Sequence, residues 1–203
     1  MTKSRTEAFS DGVIAVAITL LALDLKVPSP DAPGTLAHRL GEQWPNYAAY
    51  AVSFLTIGII WINHHAMLSR IARIDHGVLI RNILLLMTIG VLPFSTALMA
   101  EYLKAGQGDN LAAVVYGGSF LLMAVGFFAM QAHVLVRKPE LLEERVTPTV
   151  RRFVLRRNAA GLLPYLIATL GGIISPYITL VICAGIAGLY ALPGTTADAG
   201  EAA

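Results

Sequence analysis

Residues 5–28 read RTEAFSDGVIAVAITLLALDLKVP, and this stretch presents a problem of length. Only twelve uncharged residues separate Asp11 from Asp24, and at about 1.5 Å of rise each they make a helix of about 18 Å. The hydrocarbon core of a bilayer is about 30 Å thick. Between its two carboxylates the stretch is therefore too apolar for a surface helix and too short for an ordinary membrane span.

The composition of the whole chain favours a membrane protein. Hydrophobic residues make up 56% of the 203 residues and charged residues 14%, and the mean hydropathy is +0.65. A soluble domain typically has about 45–50% apolar and about 25% charged residues. We therefore predict an all-α integral membrane protein with one transmembrane domain over residues 1–193 and a disordered tail over residues 194–203. No nucleic-acid-binding motif is present, so nucleic acid is not expected as a partner.

Five apolar blocks follow one another along the chain, and the last is long enough for two helices. The first is the opening stretch, and the next three are residues 44–63, 82–100 and 110–136. The uncharged run 158–197 is interrupted by Gly-Gly at 171–172 and Ser-Pro at 175–176, which are turn signals. The pattern predicts six transmembrane helices, the last two forming a hairpin, with a kink at Pro93.

Lys and Arg are distributed unevenly over the connecting segments. With both termini in the cytoplasm, only Lys26, Arg39 and Lys104 fall outside. The inside residues are Lys3, Arg5, Arg70, Arg73, Arg81, Arg137, Lys138, Arg145, Arg151, Arg152, Arg156 and Arg157. Because cytoplasmic loops carry the excess of basic residues, we predict a multi-pass protein with both termini cytoplasmic. The cluster TVRRFVLRRN at 149–158 can also contact anionic lipid headgroups, which makes membrane lipid an expected partner.

The carboxylates of the opening stretch restrict what can surround it. A carboxylate that faces lipid near the bilayer centre costs about 2.5–3.5 kcal/mol. Asp11 and Asp24 must therefore face protein or water. A short apolar helix with a carboxylate at each end is consistent with a helix that is covered by protein on most sides and lines a narrow water-filled path on one face.

Helical spacing divides the opening stretch into two faces. One face carries a stripe of Phe9, Gly12, Val16, Thr19, Leu20 and Leu23. The opposite side is rich in small residues that allow neighbouring helices to approach closely, namely Ala15, Ala17 and Ala22. The stripe fits either a pore wall or the packed side of a buried core helix, and spacing alone leaves both open.

Two motifs distinguish this chain further. RTEAFSD at 5–11 fits R-x-x-x-F-S-D, and WINHH closes the second block at 61–65. Together they closely resemble the prokaryotic members of the TMEM175-type potassium channel family. The resemblance extends over GVIAVAITLLALDLKVP, the six-span length and SPYITLVICAGIAGLYALP, and so covers most of the chain. It implies a homotetramer in a prokaryotic plasma membrane, with the first helix of each subunit lining a central pore that has no TVGYG filter.

The same resemblance assigns roles to individual residues. It implies that Val16, Leu20 and Leu23 form three constricting rings, with Thr19 beside them, and that Asp24 lies at the pore mouth. Position 16 is commonly Ile in the family, so a ring of Val16 would be slightly wider. The polar network that would hold the first helix against the second consists of Arg5, Phe9, Ser10, Asp11, Trp61, His64 and His65.

A hydrophobic constriction predicts a particular kind of transport. Such a constriction gates by dewetting and makes an ion shed water, and K⁺ sheds water more readily than Na⁺. We therefore expect a weakly selective, potassium-permeable cation channel, with monovalent cations as its partners and no cofactor besides the permeant K⁺.

Other functional classes fit the sequence less well. A secondary transporter of cations or protons, the alternative, usually has internal repeats and broken helices around a midplane site, whereas only Pro93 and Pro164 interrupt the blocks here. An enzyme would need a nucleophile and a base at membrane depth, and the spans offer no His or carboxylate near mid-depth. No metal site is predicted either, because His64 and His65 point about 100° apart on a helix.

Overall fold

The opening stretch forms a helix that is longer than its uncharged part. In the computed structural model, which describes residues 2–31 and 33–191, helix α1 runs over Lys3–Leu20 and a 3-10 turn continues it over Leu21–Asp24. The 22 residues of this segment span about 33 Å at about 1.5 Å per residue, enough to cross the hydrocarbon core. The length problem is thereby resolved, because RTEAFSD belongs to the helix and Asp11 lies within it.

The rest of the described chain is also helical, with no strand other than an isolated bridge between Ile71 and Leu142. The further helices are α2 (Leu36–Gly41), α3 (Trp44–Ser69), α4 (His76–Gly90), α5 (Leu92–Ala105), α6 (Asp109–Ala132), α7 (Pro148–Ala160), α8 (Leu162–Gly171) and α9 (Pro176–Ala191). A π-helical turn over His133–Arg137 extends α6. The all-α prediction is confirmed, and the predicted disordered tail, residues 194–203, lies outside the described residues.

Four helical segments in the described part are long and apolar enough to cross a membrane. They are Lys3–Asp24, Trp44–Ser69, His76–Ala105 and Asp109–Arg137. The third is interrupted between α4 and α5 beside Pro93, where the sequence predicts a kink. The chain is accordingly a multi-pass membrane protein.

The predicted terminal hairpin is present, but its arms are short. Helix α8 has 10 residues and α9 has 16 in the described part, and the turn between them contains the Gly-Gly and Ser-Pro pairs that predict it. The first arm is short because the helix is interrupted at Gly161, ahead of Pro164, which lacks a backbone N–H. The structure therefore supports four full-length spans and a shorter hairpin.

A buried hydroxyl cluster ties three of the spans together. The Ser53 hydroxyl on α3 lies 2.8 Å from the Thr96 hydroxyl on α5 and 3.0 Å from the Tyr116 hydroxyl on α6. All three side chains are buried, and a polar group in a membrane interior is costly unless it is hydrogen-bonded. The cluster therefore fixes how α3, α5 and α6 are placed relative to one another.

The N-terminus of α4 is capped outside the apolar part of its span. The Asp75 carboxylate accepts a hydrogen bond from the Val78 backbone N–H at 2.8 Å, and this bond holds the pKa of Asp75 below its usual range. A group with a lowered pKa stabilises the fold above the ordinary carboxyl pKa and loses that contribution as the pH falls through the lowered value. The cap is thus fully effective at neutral pH.

Helix α6 packs closely against α8 at Gly117. A Cβ placed on Gly117 would lie 3.0 Å from the Thr169 Cα and 3.1 Å from its backbone nitrogen, whereas one on Gly118 would meet only the Thr169 methyl at 3.8 Å. Gly117→Ala should therefore separate the two helices and destabilise the protein by about 1–3 kcal/mol, measured as a lower melting temperature in detergent. Gly118→Ala is the matched control, and equal melting temperatures for the two variants would contradict the close packing.

Candidate functional site: the exposed face of α1 and its anchors

The buried side of α1 faces α3 and α4. Its residues recur at helical spacing and include both polar and apolar side chains: Thr6, Ser10, Ile14, Ala17 and Leu21. The sequence places Ala15, Ala17 and Ala22 on the packing side, but only Ala17 is buried, while Ala15 and Ala22 are exposed. Within the single chain only Ala17 therefore packs against neighbouring helices, because the buried stripe follows Ser10 and Ile14.

The opposite side of α1 is apolar and largely uncovered. Val16, Leu20 and Leu23 are 58%, 43% and 73% exposed. Only 28% of the most apolar window of this helix is buried, against 44–50% in the other three long segments. The stripe predicted from the sequence thus lies on the face that the chain's own fold leaves open.

The exposed face borders a groove of about 520 Å³. Phe9, Gly12, Val16 and Leu20 line it from α1, and Gly90 lines it from the end of α4. A Cβ placed on either glycine would meet nothing within 4 Å. Small residues of this kind allow another helix to approach closely in a membrane.

Thr19 and Asp24 lie on or near this face. The Thr19 hydroxyl donates to the backbone carbonyls of Ala15 and Val16, at 3.0 and 2.9 Å, and its side chain is exposed. Its proton is therefore engaged within the helix while its oxygen remains able to accept. Asp24 ends the 3-10 turn half-buried, and its backbone carbonyl accepts a hydrogen bond from the Asn46 amide at 3.3 Å.

A buried chain of hydrogen bonds through Asn82, the Asn82 relay, anchors the N-terminal half of α1. The Asn82 amide on α4 donates to the Ser10 hydroxyl at 2.9 Å, and its Oδ1 lies 2.8 Å from the His64 Nε2 on α3. With the amide so oriented, Nε2 of His64 carries the donated proton. Ser10 in turn donates to the Thr6 carbonyl at 2.8 Å. Ser10, His64 and Asn82 are all buried, so one asparagine joins three helices.

Sequence reasoning missed Asn82, although it places Ser10 and His64 in the network. The available signal is weak, because Asn82 is the first residue of the third apolar block and a polar residue there is equally typical of a membrane interface. His65, the neighbour of His64, is exposed. Among the described residues no three His, Cys, Asp or Glu side chains come together as metal ligands do.

A second link joins α1 to α3 at the surface of the single chain. The Trp61 Nε1–H donates to the Asp11 carboxylate at 2.8 Å. Arg5, which the family resemblance places in the same network, is exposed and forms no ion pair with Asp11 within the described chain. Phe9 points into the groove rather than into the polar network. The predicted network is thus two separate contacts, the Asn82 relay and the Asp11–Trp61 hydrogen bond.

Asp11→Ala should weaken the attachment of α1 to α3. Loss of the carboxylate removes the acceptor of the Trp61 indole, and because both residues are exposed in the single chain we expect about 1 kcal/mol of destabilisation. Asp11→Asn retains an oxygen acceptor and should lose less. Melting temperature in detergent is the measurement, with Glu7→Ala as a control that removes a charge one turn away. Equal effects of Asp11→Ala and Glu7→Ala would contradict a specific indole contact.

Comparison with known proteins agrees with this geometry. The family profile described as endosomal/lysosomal potassium channel TMEM175 matches residues 5–93, which contain α3, α4 and all of α1 except its first two residues. A protein of Streptomyces collinus named as a potassium channel is 46% identical over 186 residues, covering 92% of this chain and 89% of that protein. The chain belongs to the TMEM175 family.

A second relative extends the agreement within the TMEM175 family to the whole fold. A Chamaesiphon minutus protein, also named as a potassium channel, is 39% identical and is covered over 93% of both chains. The crystal structure of a lysosomal potassium-selective channel TMEM175 homolog from that organism superposes with a TM-score of 0.83 at 37% identity, over 96% of this chain and 98% of the other. The similarity to TMEM175 proteins therefore includes α5 to α9, which lie largely beyond the profile match.

Proposed function

We propose that this protein is a weakly selective, potassium-permeable cation channel in which four copies of the chain surround a central pore lined by α1. The observation that carries the proposal is the uncovered apolar face of α1. Val16, Leu20 and Leu23 are exposed there, on the side of the helix opposite the one buried against α3 and α4. The names of the Streptomyces and Chamaesiphon relatives support potassium as the permeant ion.

Packing geometry favours four subunits. A helix with its side chains is about 10 Å across, and four such helices around an axis leave a gap that branched aliphatic side chains can close. Five or six helices would leave a wider hole. Gly12 and Gly90 leave room beside each α1 for the helix of a neighbouring subunit.

In this arrangement the rings of Val16, Leu20 and Leu23 form a hydrophobic gate. Closure excludes water from the constriction, and an ion that passes must shed part of its hydration shell. Thr19 offers a hydroxyl oxygen between the first two rings, and four copies of Asp24 at the outer mouth would concentrate cations. Chemistry on a substrate is not part of the proposal, and the only bound species required is the permeant K⁺.

The proposed topology has six spans per subunit. The last residues of α7 together with α8 form the fifth span, and α9 forms the sixth. Both termini lie in the cytoplasm, as the excess of Lys and Arg on one side favours. The protein resides in the plasma membrane, a placement supported by the bacterial source of the Streptomyces and Chamaesiphon relatives.

Mass measurement of the detergent-solubilised protein tests the assembly. A tetramer has four times the chain mass of 21.7 kDa, after correction for bound detergent. A monomer or dimer that still conducts would refute the proposed pore.

Bilayer recording tests conduction. With K⁺ on one side and Na⁺ on the other, we expect a reversal potential that indicates a modest preference for K⁺ and a current that does not saturate at low ion concentration. Flux that saturates and is coupled to a proton gradient would instead identify a secondary transporter.

A further inference from the structure

A second cleft, which shares no lining residue with the groove of α1, opens between α3, α6, the α7–α8 junction and α9. Its inner part is apolar and is lined by Thr56, Ile59, Ile60, Met123, Ala124 and Phe127. Its other lining residues are polar or aromatic: Asn63, Arg157, Asn158, Tyr165 and Tyr190, with Gly161 between them. None of the described residues that line it is a carboxylate.

The polar residues collect at one end of the cleft because of the helix directions. Asn63 lies seven residues beyond Thr56 on α3, which is about 10 Å along the axis, towards the end where α7 begins. Arg157 and Asn158 enter the cleft from that same end, and Tyr190 is near the C-terminus of α9. The cleft thus runs from a polar opening at the basic side of the bundle to an apolar interior.

The polar opening is built by specific contacts. The Asn158 amide donates to the buried Gln131 side chain at 2.6 Å. The Tyr190 hydroxyl lies 3.4 Å from where a Cβ on Gly161 would be, so a larger residue there would crowd it. Arg157 is half-buried and forms no ion pair within the described residues. A guanidinium held in a partly desolvated cleft without a carboxylate favours an external anion.

We propose that this cleft binds one anionic phospholipid from the adjacent leaflet. The phosphate contacts the Arg157 guanidinium and the Tyr190 hydroxyl, and an acyl chain lies along Ile59, Ile60 and Phe127. A guanidinium matches the geometry of a phosphate and its bond is charge-assisted. A free phosphate would leave the apolar wall unused, and a neutral lipid with a zwitterionic headgroup would bring a second cation to a site that already holds one.

Further basic residues on α7 add to the preference for anionic lipid. Helix α7 also carries Arg151 and Arg152, nearer its N-terminus, and basic residues near a membrane surface raise the local concentration of anionic lipid. The inference depends on the bundle of a single chain and stands whether or not the protein conducts ions.

Native mass spectrometry of the purified protein from mixed bilayers of phosphatidylglycerol and phosphatidylcholine tests the site. We expect phosphatidylglycerol to be retained preferentially, and Arg157→Gln to reduce its retention about fivefold or more, because the charge-assisted contact of the guanidinium with the phosphate is lost. Arg156→Gln, an exposed arginine on the same helix that does not line the cleft, is the matched control and should leave retention nearly unchanged. Equal losses in the two variants, or equal retention of both lipids, would overturn the site.

Two further measurements keep the test decisive if Arg157→Gln alters folding. Ala124→Trp should fill the apolar interior and abolish retention while leaving every arginine in place, and unchanged retention would refute the acyl-chain position. Inorganic phosphate in large excess should not displace the lipid. Complete displacement by phosphate would show that the opening binds a free anion and would reject a lipid site.

Discussion

Leu20→Asn is expected to raise the single-channel current several-fold and to weaken the preference for K⁺ over Na⁺. Leu20 is on the open face of α1, and in the proposed tetramer the substitution places four amides at one ring of the hydrophobic constriction. Amides hydrogen-bond water, so the constriction becomes wet and ions cross it with less dehydration. Leu23→Asn should act in the same direction at the next ring. Recording in bilayers under opposed K⁺ and Na⁺ measures both effects.

Leu21→Asn is the matched control one residue away. Leu21 is fully buried against α3 and α5, so the same substitution there places an unsatisfied amide in the core and should cost about 2–5 kcal/mol per subunit. It should lower expression and melting temperature without raising the current. If Leu20→Asn merely destabilises the protein as Leu21→Asn does, α1 does not line a pore.

Asn82→Ala is expected to destabilise the protein by about 2–4 kcal/mol. The substitution leaves the buried His64 Nε2–H without its acceptor and the buried Ser10 hydroxyl without its donor, and each unsatisfied buried group costs about 1–3 kcal/mol. Because α1 is then held less firmly, we also expect smaller currents from the protein that remains folded. Thermal unfolding in detergent and bilayer recording measure the two effects.

Two comparisons separate the relay from a general loss of packing. Asn110→Ala removes an exposed asparagine whose amide donates to the Ile173 carbonyl at 3.2 Å and should change stability little. A double-mutant cycle of Asn82→Ala with His64→Ala should show a coupling of about 1 kcal/mol or more. Additive effects of the two substitutions would remove the hydrogen bond between them as an anchor of α1.

The sequence predicts the membrane helices well because the length of an apolar block is read directly along the chain and does not depend on contacts between helices. The kink near Pro93 and the turn at 171–176 follow from residues that restrict the backbone locally. The short α8 was harder to foresee, because a break at Gly161 is encoded weakly in an uninterrupted apolar run. The uncharged block underestimates the length of α1 for a related reason. Charged residues such as Asp11 end an apolar block but do not end the helix.

Contacts between helices were predicted only in part. Periodicity identifies the stripe of Val16, Leu20 and Leu23, but whether such a stripe is covered depends on how the other helices pack. The Asp11 carboxylate accepts from the indole of Trp61, fifty positions away, and the partner of Ser10 is Asn82, more than seventy positions away in sequence. Pairings at such separations are determined by helix rotation and offset, which a single sequence does not specify.

The relay through Asn82 has a consequence for the order of assembly. Every hydrogen bond described in it, from Thr6 to His64, joins residues of one chain. Each chain can therefore orient its own α1 before it meets another copy, so less conformational entropy is lost when subunits associate. In mixed assemblies of wild-type and Asn82→Ala chains, the defect should then increase stepwise with the number of altered chains instead of appearing in full with the first.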